Sequence, residues 1–205
     1  MGKIEIEKST EEKILASAKK VFVVKGMAGA RMQDIADEAG INKALLHYYF
    51  RSKEKLFEVI FKEAFRNLFH RINMVFESDL PFFDKIEKFC TEYITVMSEN
   101  PFLPIFVLNE IHSNADRFLK NISDKKDFPK PHIFLAQVEK EIKKGTIKPI
   151  EPVQLLMNLL SMAIFPFVGR PFFQHVLKMD DQLYWSIIEK RKKEIPKFII
   201  DSIKK

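Results

Sequence analysis

Cysteine is all but missing from this chain of 205 residues: Cys90 is the only one. A single thiol cannot close an internal disulfide, and it has no companions at metal-ligand spacing, so the composition predicts a reducing cytoplasm. Glycine is scarce, at 6, and neither a glycine-rich phosphate loop nor a nucleophile elbow occurs. The 5 histidines, at positions 47, 70, 112, 132 and 175, are widely separated and lack Cys, Asp or Glu at metal-site spacing, so no metal, cofactor or enzymatic role is expected. Long apolar runs are absent too. The longest, residues 155–168, is interrupted by Asn158 and Ser161 and carries Pro166, falling short of the roughly 20 residues a bilayer-spanning helix needs. The opening "MGKIEIEKSTEEK" is charged throughout and has no signal-peptide core. No membrane partner is expected.

What is present is helix-forming sequence. Apolar residues make up 46% of the chain and recur every three or four positions, with no sustained alternation of the β kind, which predicts an all-α fold with a sizeable core. The formal net charge of +6 is compatible with a polyanionic partner, and equally with proteins that never touch one.

Caps and breakers divide the chain. "STEE" predicts a first helix capped by Ser9 with Glu12 reaching back, running through Ile14, Leu15, Ala18, Val21 and Phe22 to a left-handed stop at Gly26. A second helix holds Met32, Ile35, Ala36 and Ala39 and ends at Gly40. A third starts at Asn42, a favourable N-cap, and runs to Phe50; Ser52 caps a long fourth. Proline-rich joints cut the remainder into helices at about 81–98, 101–113, 131–144, 152–165 and 180–204, the last kinked or split by Pro196. Of the 20 Phe residues only Phe22 and Phe50 precede residue 52, so a compact charged module is followed by a Phe-rich body.

The joint between the second and third helices carries the functional signal. Two helices crossing steeply through a short turn need a residue that tolerates positive φ, a small side chain at the crossing, and apolar residues facing the helix behind. Gly40 meets the first demand, Ala36 the second, and Ile35, Ala39, Ile41, Leu46 and Tyr49 the third. At 100° per residue, Leu46, Tyr49 and Phe50 centre the buried side of the third helix. Ala44 and Tyr48 then face outward, flanked by Lys43, Leu45 and His47. An outward face this apolar and aromatic does not suit a plain solvated helix.

"MQDIADEAGINKALLHYYFRSKEKLF" resembles the DNA-binding signature of the tetracycline-repressor (TetR) family of bacterial transcriptional regulators, at motif level over about residues 10–57 and in architecture alone beyond. The resemblance implies an N-terminal three-helix helix-turn-helix DNA-binding module over residues 9–55, after a tail of residues 1–8. A larger helical ligand-binding and dimerisation body follows over residues 56–205. Residues 42–49 would enter the major groove, with Asn42 at the entry, Lys43, Ala44 and Leu45 near the bases, and Tyr48 and Tyr49 as the aromatic pair. Lys53 matches a position that commonly holds the DNA backbone. Two departures stand out: His47 occupies a usual tyrosine position, and Ala30 and Arg31 replace the usual hydroxyl cap of the second helix. Arg31, Gln33, His47, Tyr48 and Lys53 are donors suited to phosphates, while Ala44 and Leu45 make only apolar base contacts, so DNA shape is expected to share in specificity.

In that family the body encloses a small-molecule pocket, and its last two main helices pair two copies. The residues here that suit a largely apolar site with a few orienting polar groups are Gln154, Asn158 and Ser161 on one helix and Asn109 and His112 on another, with Phe65, Phe69, Tyr93 and Gln137 as weaker candidates. A Phe stripe is more often core than ligand site, and a satisfied core hydrogen bond or a solvent-facing position explains each polar candidate equally well. The expected partners are therefore a palindromic double-stranded operator, a second copy of the chain and a small, largely apolar effector. The competing reading is a helical interaction or apolar-ligand carrier protein that no longer reads DNA.

Overall fold

The computed structural model describes residues 2–123 and 128–205. Its helices are α1 (Gly2–Gly29), α2 (Met32–Ala39), α3 (Lys43–Tyr49), α4 (Lys53–Glu77), α5 (Phe82–Glu99), α6 (Leu103–Ser123), α7 (Pro131–Lys144), α8 (Pro152–Val168), α9 (Arg170–Val176) and α10 (Asp181–Ile203). The β pairing among the described residues is an isolated antiparallel bridge between Ile147 and Lys204. The chain divides into two compact units, residues 1–65 with 100–103, and residues 66–99 with 104–205; α4 contributes to both.

In the first unit, α1 packs on α2 and α2 on α3. Ile14, Ala18 and Phe22 of α1, Ile35, Ala36 and Ala39 of α2, Leu46 of α3 and Leu56 and Phe57 of α4 are all buried. Phe22 meets Phe57 edge-on at 5.1 Å between ring centroids. The expected cap at Ser9 is corrected: α1 begins at Gly2 and passes through Ser9, because no breaker precedes it and extending a helix costs less than nucleating one. The stop expected at Gly26 is present as a break in helical geometry at φ 66° and ψ 172°, after which one more turn reaches Gly29. Ser52 caps α4 as expected, its Oγ accepting from the Lys55 N–H at 3.3 Å.

The second unit is built on aromatic stacking. Phe76 of α4 lies nearly parallel to Phe89 of α5 at 5.7 Å and stacks on Phe134 of α7 at 5.4 Å. α5 packs against both α8 and α10. Buried Asn73 ties α4 to the segment before α7, donating to the Phe128 carbonyl at 3.2 Å and accepting from the Lys130 N–H at 3.0 Å.

Three boundaries differ from the expected ones. α6 runs on to Ser123, with Phe118 buried, where a stop near residue 113 was expected. α8 continues through Pro166 to Val168, and a separate helix, α9, follows a 64° bend where a loop was expected. Proline inside a helix orphans the carbonyl four residues earlier. Here that carbonyl, of Met162, accepts from Arg191 Nη2 at 2.7 Å, and Tyr184 donates its hydroxyl to the Pro166 carbonyl at 3.1 Å, so α10 answers the break in α8. Pro196 does not split α10, which is continuous from Asp181 to Ile203. Among the described residues no single helix is long and apolar enough to cross a membrane.

Candidate nucleic-acid interface

The turn between α2 and α3 is closed by backbone geometry. Gly40 takes φ 62° and ψ 38°, a left-handed conformation that costs a residue with a Cβ about 1–2 kcal/mol. Its N–H donates to the Asp37 carbonyl at 3.1 Å and the Ile41 N–H to the Ala36 carbonyl at 3.0 Å, a complete Schellman motif. Asn42 then caps α3, its side-chain oxygen accepting from the Leu45 N–H at 2.7 Å.

α2 is capped at its start from within. Arg31 is the N-cap residue, and its side chain has no acceptor to offer. Asp34 supplies the reciprocal half of a capping box: its carboxylate accepts the Arg31 N–H at 3.0 Å and pairs with Lys25 of α1 at 2.9 Å. The Lys25 ammonium above all, and then the Arg31 N–H, hold the Asp34 carboxyl below its ordinary pKa. Neither Asp34 nor Lys25 was singled out from the sequence. The spacing of an acid three residues after the N-cap is the signal that could have found Asp34.

α3 presents the expected face. Leu46 and Phe50 are buried and Tyr49 half-buried, while Lys43, Ala44, Leu45, His47 and Tyr48 are exposed, Tyr48 by 74%. Tyr48 and Tyr49 meet edge-on at 5.4 Å. His47 Nδ1 lies 3.2 Å from the Arg51 carbonyl. With Nδ1–H donating there, Nε2 accepts when the ring is neutral and becomes a donor for a phosphate when the ring is protonated.

Exposed Arg31 and Gln33 lie on α2 or at its start, but Gln33 already donates its amide to Asp37 at 2.8 Å. Lys53, expected on the DNA backbone, is half-buried and directs its ammonium into the protein. It donates to the carbonyls of Met27 at 2.9 Å, Ala28 at 3.4 Å and Ala30 at 3.1 Å. The last carbonyls of a helix have no partners within it, and α1 ends here.

The effector candidates are scattered. Half-buried Phe65 stacks on Phe61 at 4.9 Å, and half-buried Phe69 meets Phe128 at 5.8 Å. Tyr93 is buried against Phe89 at 5.7 Å, and burial pushes its phenol pKa up. Gln137 is half-buried, and Asn109 and His112 are exposed on α6. Gln154, Asn158 and Ser161 are also exposed, the solvent-facing alternative to a place in an effector site. α8 buries Leu155, Leu159, Ala163 and Phe167, and the polar residues fall on the opposite side of the helix, beside exposed Val153, Met157 and Phe165.

Residues 14–60 match the family model for bacterial regulatory proteins of the tetR family. The chain is 23% identical over 151 residues to an uncharacterized HTH-type transcriptional regulator of Bacillus subtilis (strain 168), YhgD, covering 74% of this chain and 78% of that one. It is 30% identical over 112 residues to IcaR of Staphylococcus aureus (strain Newman), the HTH-type negative transcriptional regulator of the biofilm operon icaADBC, covering 55% of this chain and 59% of that one. Among solved structures, the ketosteroid transcriptional regulator KstR2 of Mycobacterium tuberculosis shares the fold, with a TM-score of 0.69 at 13% identity over 95% of each chain.

Proposed function

We propose that this chain, which belongs to the TetR family of bacterial regulators and is a DNA-binding transcriptional regulator, acts as a homodimeric repressor that a small, largely apolar effector releases from a palindromic operator. The observation that carries the DNA reading is the outward row of α3: Ala44, Leu45 and Tyr48 are exposed on a helix whose direction is fixed by the Gly40 turn and the Asn42 cap. Ala44 and Leu45 suit thymine methyls, and Tyr48, Arg31 and a protonated His47 suit phosphates. The regulator works where the chromosome is, in the cytoplasm.

Pairing of two copies is supported by apolar side chains left exposed on α8 and α10, among them Met157, Phe165, Leu183 and Phe198. Two-fold symmetry then predicts an inverted-repeat operator. For the effector, the Phe-rich body and the name of KstR2, a ketosteroid regulator, both favour an apolar molecule. Release requires the effector to prefer a body conformation whose paired recognition helices no longer match successive major grooves. α4, which supplies residues to both units, is the element through which such a preference would pass.

Selection of bound duplexes from a random-sequence DNA pool tests the reading. An enriched inverted repeat is the expected outcome. A pool that stays random, or a monomer in sedimentation at micromolar concentration, would remove the operator or the dimer respectively.

A further inference from the structure

We propose that Lys53 serves DNA binding by bracing the link between α1 and α2, as a positioning residue for Arg31, and does not itself hold a phosphate; the inference rests on the regulator reading above. An ammonium group has three N–H donors, and the carbonyls of Met27, Ala28 and Ala30, at 2.9, 3.4 and 3.1 Å, use all three. The Met27 and Ala28 carbonyls belong to the end of α1 just beyond the break at Gly26, where the helix supplies no partners of its own, and Ala30 follows in the link to α2. The cation is also well placed against the negative end of the α1 dipole.

The consequence falls on one peptide plane. The Ala30 carbonyl accepts from Lys53, and the N–H of the same peptide, belonging to Arg31, donates to Asp34 at 3.0 Å. Both ends of the Ala30–Arg31 peptide are thereby fixed, and Ala30 itself is buried. Arg31 leaves this pinned peptide with an exposed side chain at the start of α2, the end of the helix that favours an anion. For Lys53 to reach a phosphate instead, it would have to abandon the end of α1 and release one of the two ties that aim Arg31.

Two measurements decide between positioning and contact. The first compares Lys53→Met, Arg31→Ala and the double variant for affinity to an inverted-repeat duplex selected from a random pool, across a salt series and with thermal melts of each protein. Positioning predicts that Lys53→Met weakens binding about tenfold in the wild-type background but by less than about twofold once Arg31 is gone. The double variant then keeps the salt slope of Arg31→Ala alone. Additive losses, each removing about one unit of salt slope, would mean that Lys53 holds its own phosphate, and the proposal falls. The second measurement needs no variant: the carbonyl-carbon NMR shifts of Met27 and Ala30 in the wild-type protein should stay in place when the duplex is added, and movement toward released hydrogen bonds would overturn the proposal. A wild-type protein that binds no duplex would sink the regulator reading and this inference together, whereas binding with additive losses would sink this inference alone.

Discussion

The two units of this molecule close helix ends with the same chemistry and put it to different use. In the first, half-buried Lys53 gathers two carbonyls at the end of α1 and a third, of Ala30, in the link to α2. In the second, Lys85 is only 4% exposed and donates to a single carbonyl, that of Phe76 near the end of α4, with burial pulling its ammonium pKa down. One lysine is half-open to solvent, and the other is buried in the body. The first unit keeps a row of exposed side chains over a small core and closes its helix ends through backbone groups; the body relies more on stacked rings. Stability and function should therefore separate between them.

The largest effect expected from that separation is in the body. Phe134 is 1% exposed and stacks on Phe76 at 5.4 Å and Phe82 at 6.0 Å. Phe134→Ala removes both contacts and leaves a cavity, so it should cost about 3–5 kcal/mol in urea unfolding. Tyr48→Ala should do the reverse. Because Tyr48 is 74% exposed, its loss should leave the melting temperature in place, while DNA affinity falls by about 1.5–3 kcal/mol if the hydroxyl reaches a phosphate. An unchanged affinity would show that α3 presents a different face to DNA, and the two units would no longer divide their roles in this way.

The same contrast explains what was legible in the sequence. Gly40, Asn42 and Ser52 act within a few residues of themselves, so the turn, the α3 cap and the α4 cap could all be read locally. Arg31 offers no side-chain cap, as its position reads, and the reciprocal bond from its N–H to Asp34 is also local, at the spacing of a capping box. In the body the decisive partners are distant. Pro166 reads locally as a helix stop, and nothing nearby shows that Arg191, from another helix, will take up the Met162 carbonyl. α9 was hidden for a related reason: Pro171 reads as a breaker but stands in the first turn of the helix, where proline needs no N–H partner. Gln154, Asn158 and Ser161 were correctly grouped on one face of α8, but helical spacing alone does not say which face is buried.

A double-mutant cycle sharpens the role of distant partners in the body. Arg191→Met orphans the Met162 carbonyl while Pro166 is present, and should cost about 1–3 kcal/mol. Pro166→Ala restores the N–H that can reach that carbonyl within α8. In that background the cost of Arg191→Met should fall by about 1 kcal/mol. Equal costs in both backgrounds would mean that Arg191 contributes by packing alone, and that α8 passes through Pro166 without help from α10.

The smallest expected effect is on pH dependence, and it compares one carboxylate in each unit. Glu92 of α5 accepts from Lys88 at 2.7 Å and from Arg71 of α4 at 3.0 Å, and the Lys88 ammonium first, then Arg71, hold its pKa below the ordinary value. Asp34 is lowered in the same direction by Lys25 and the Arg31 N–H. Since both titrate lower in the folded protein, the unfolded chain takes up protons first as the solution is acidified. The stability each group provides is complete above the ordinary carboxylate pKa and is lost as pH falls through the folded value. Glu92→Gln should therefore remove about 0.5–1 kcal/mol of the loss in urea stability seen between pH 7 and pH 3. Asp34→Asn keeps an oxygen for the Arg31 N–H but gives up the charge that holds Lys25, so it should flatten the acid dependence of DNA affinity and leave the urea profile of the body nearly unchanged. If the body's profile followed Asp34, or DNA affinity followed Glu92, the two units would be coupled far more tightly than their separate devices imply.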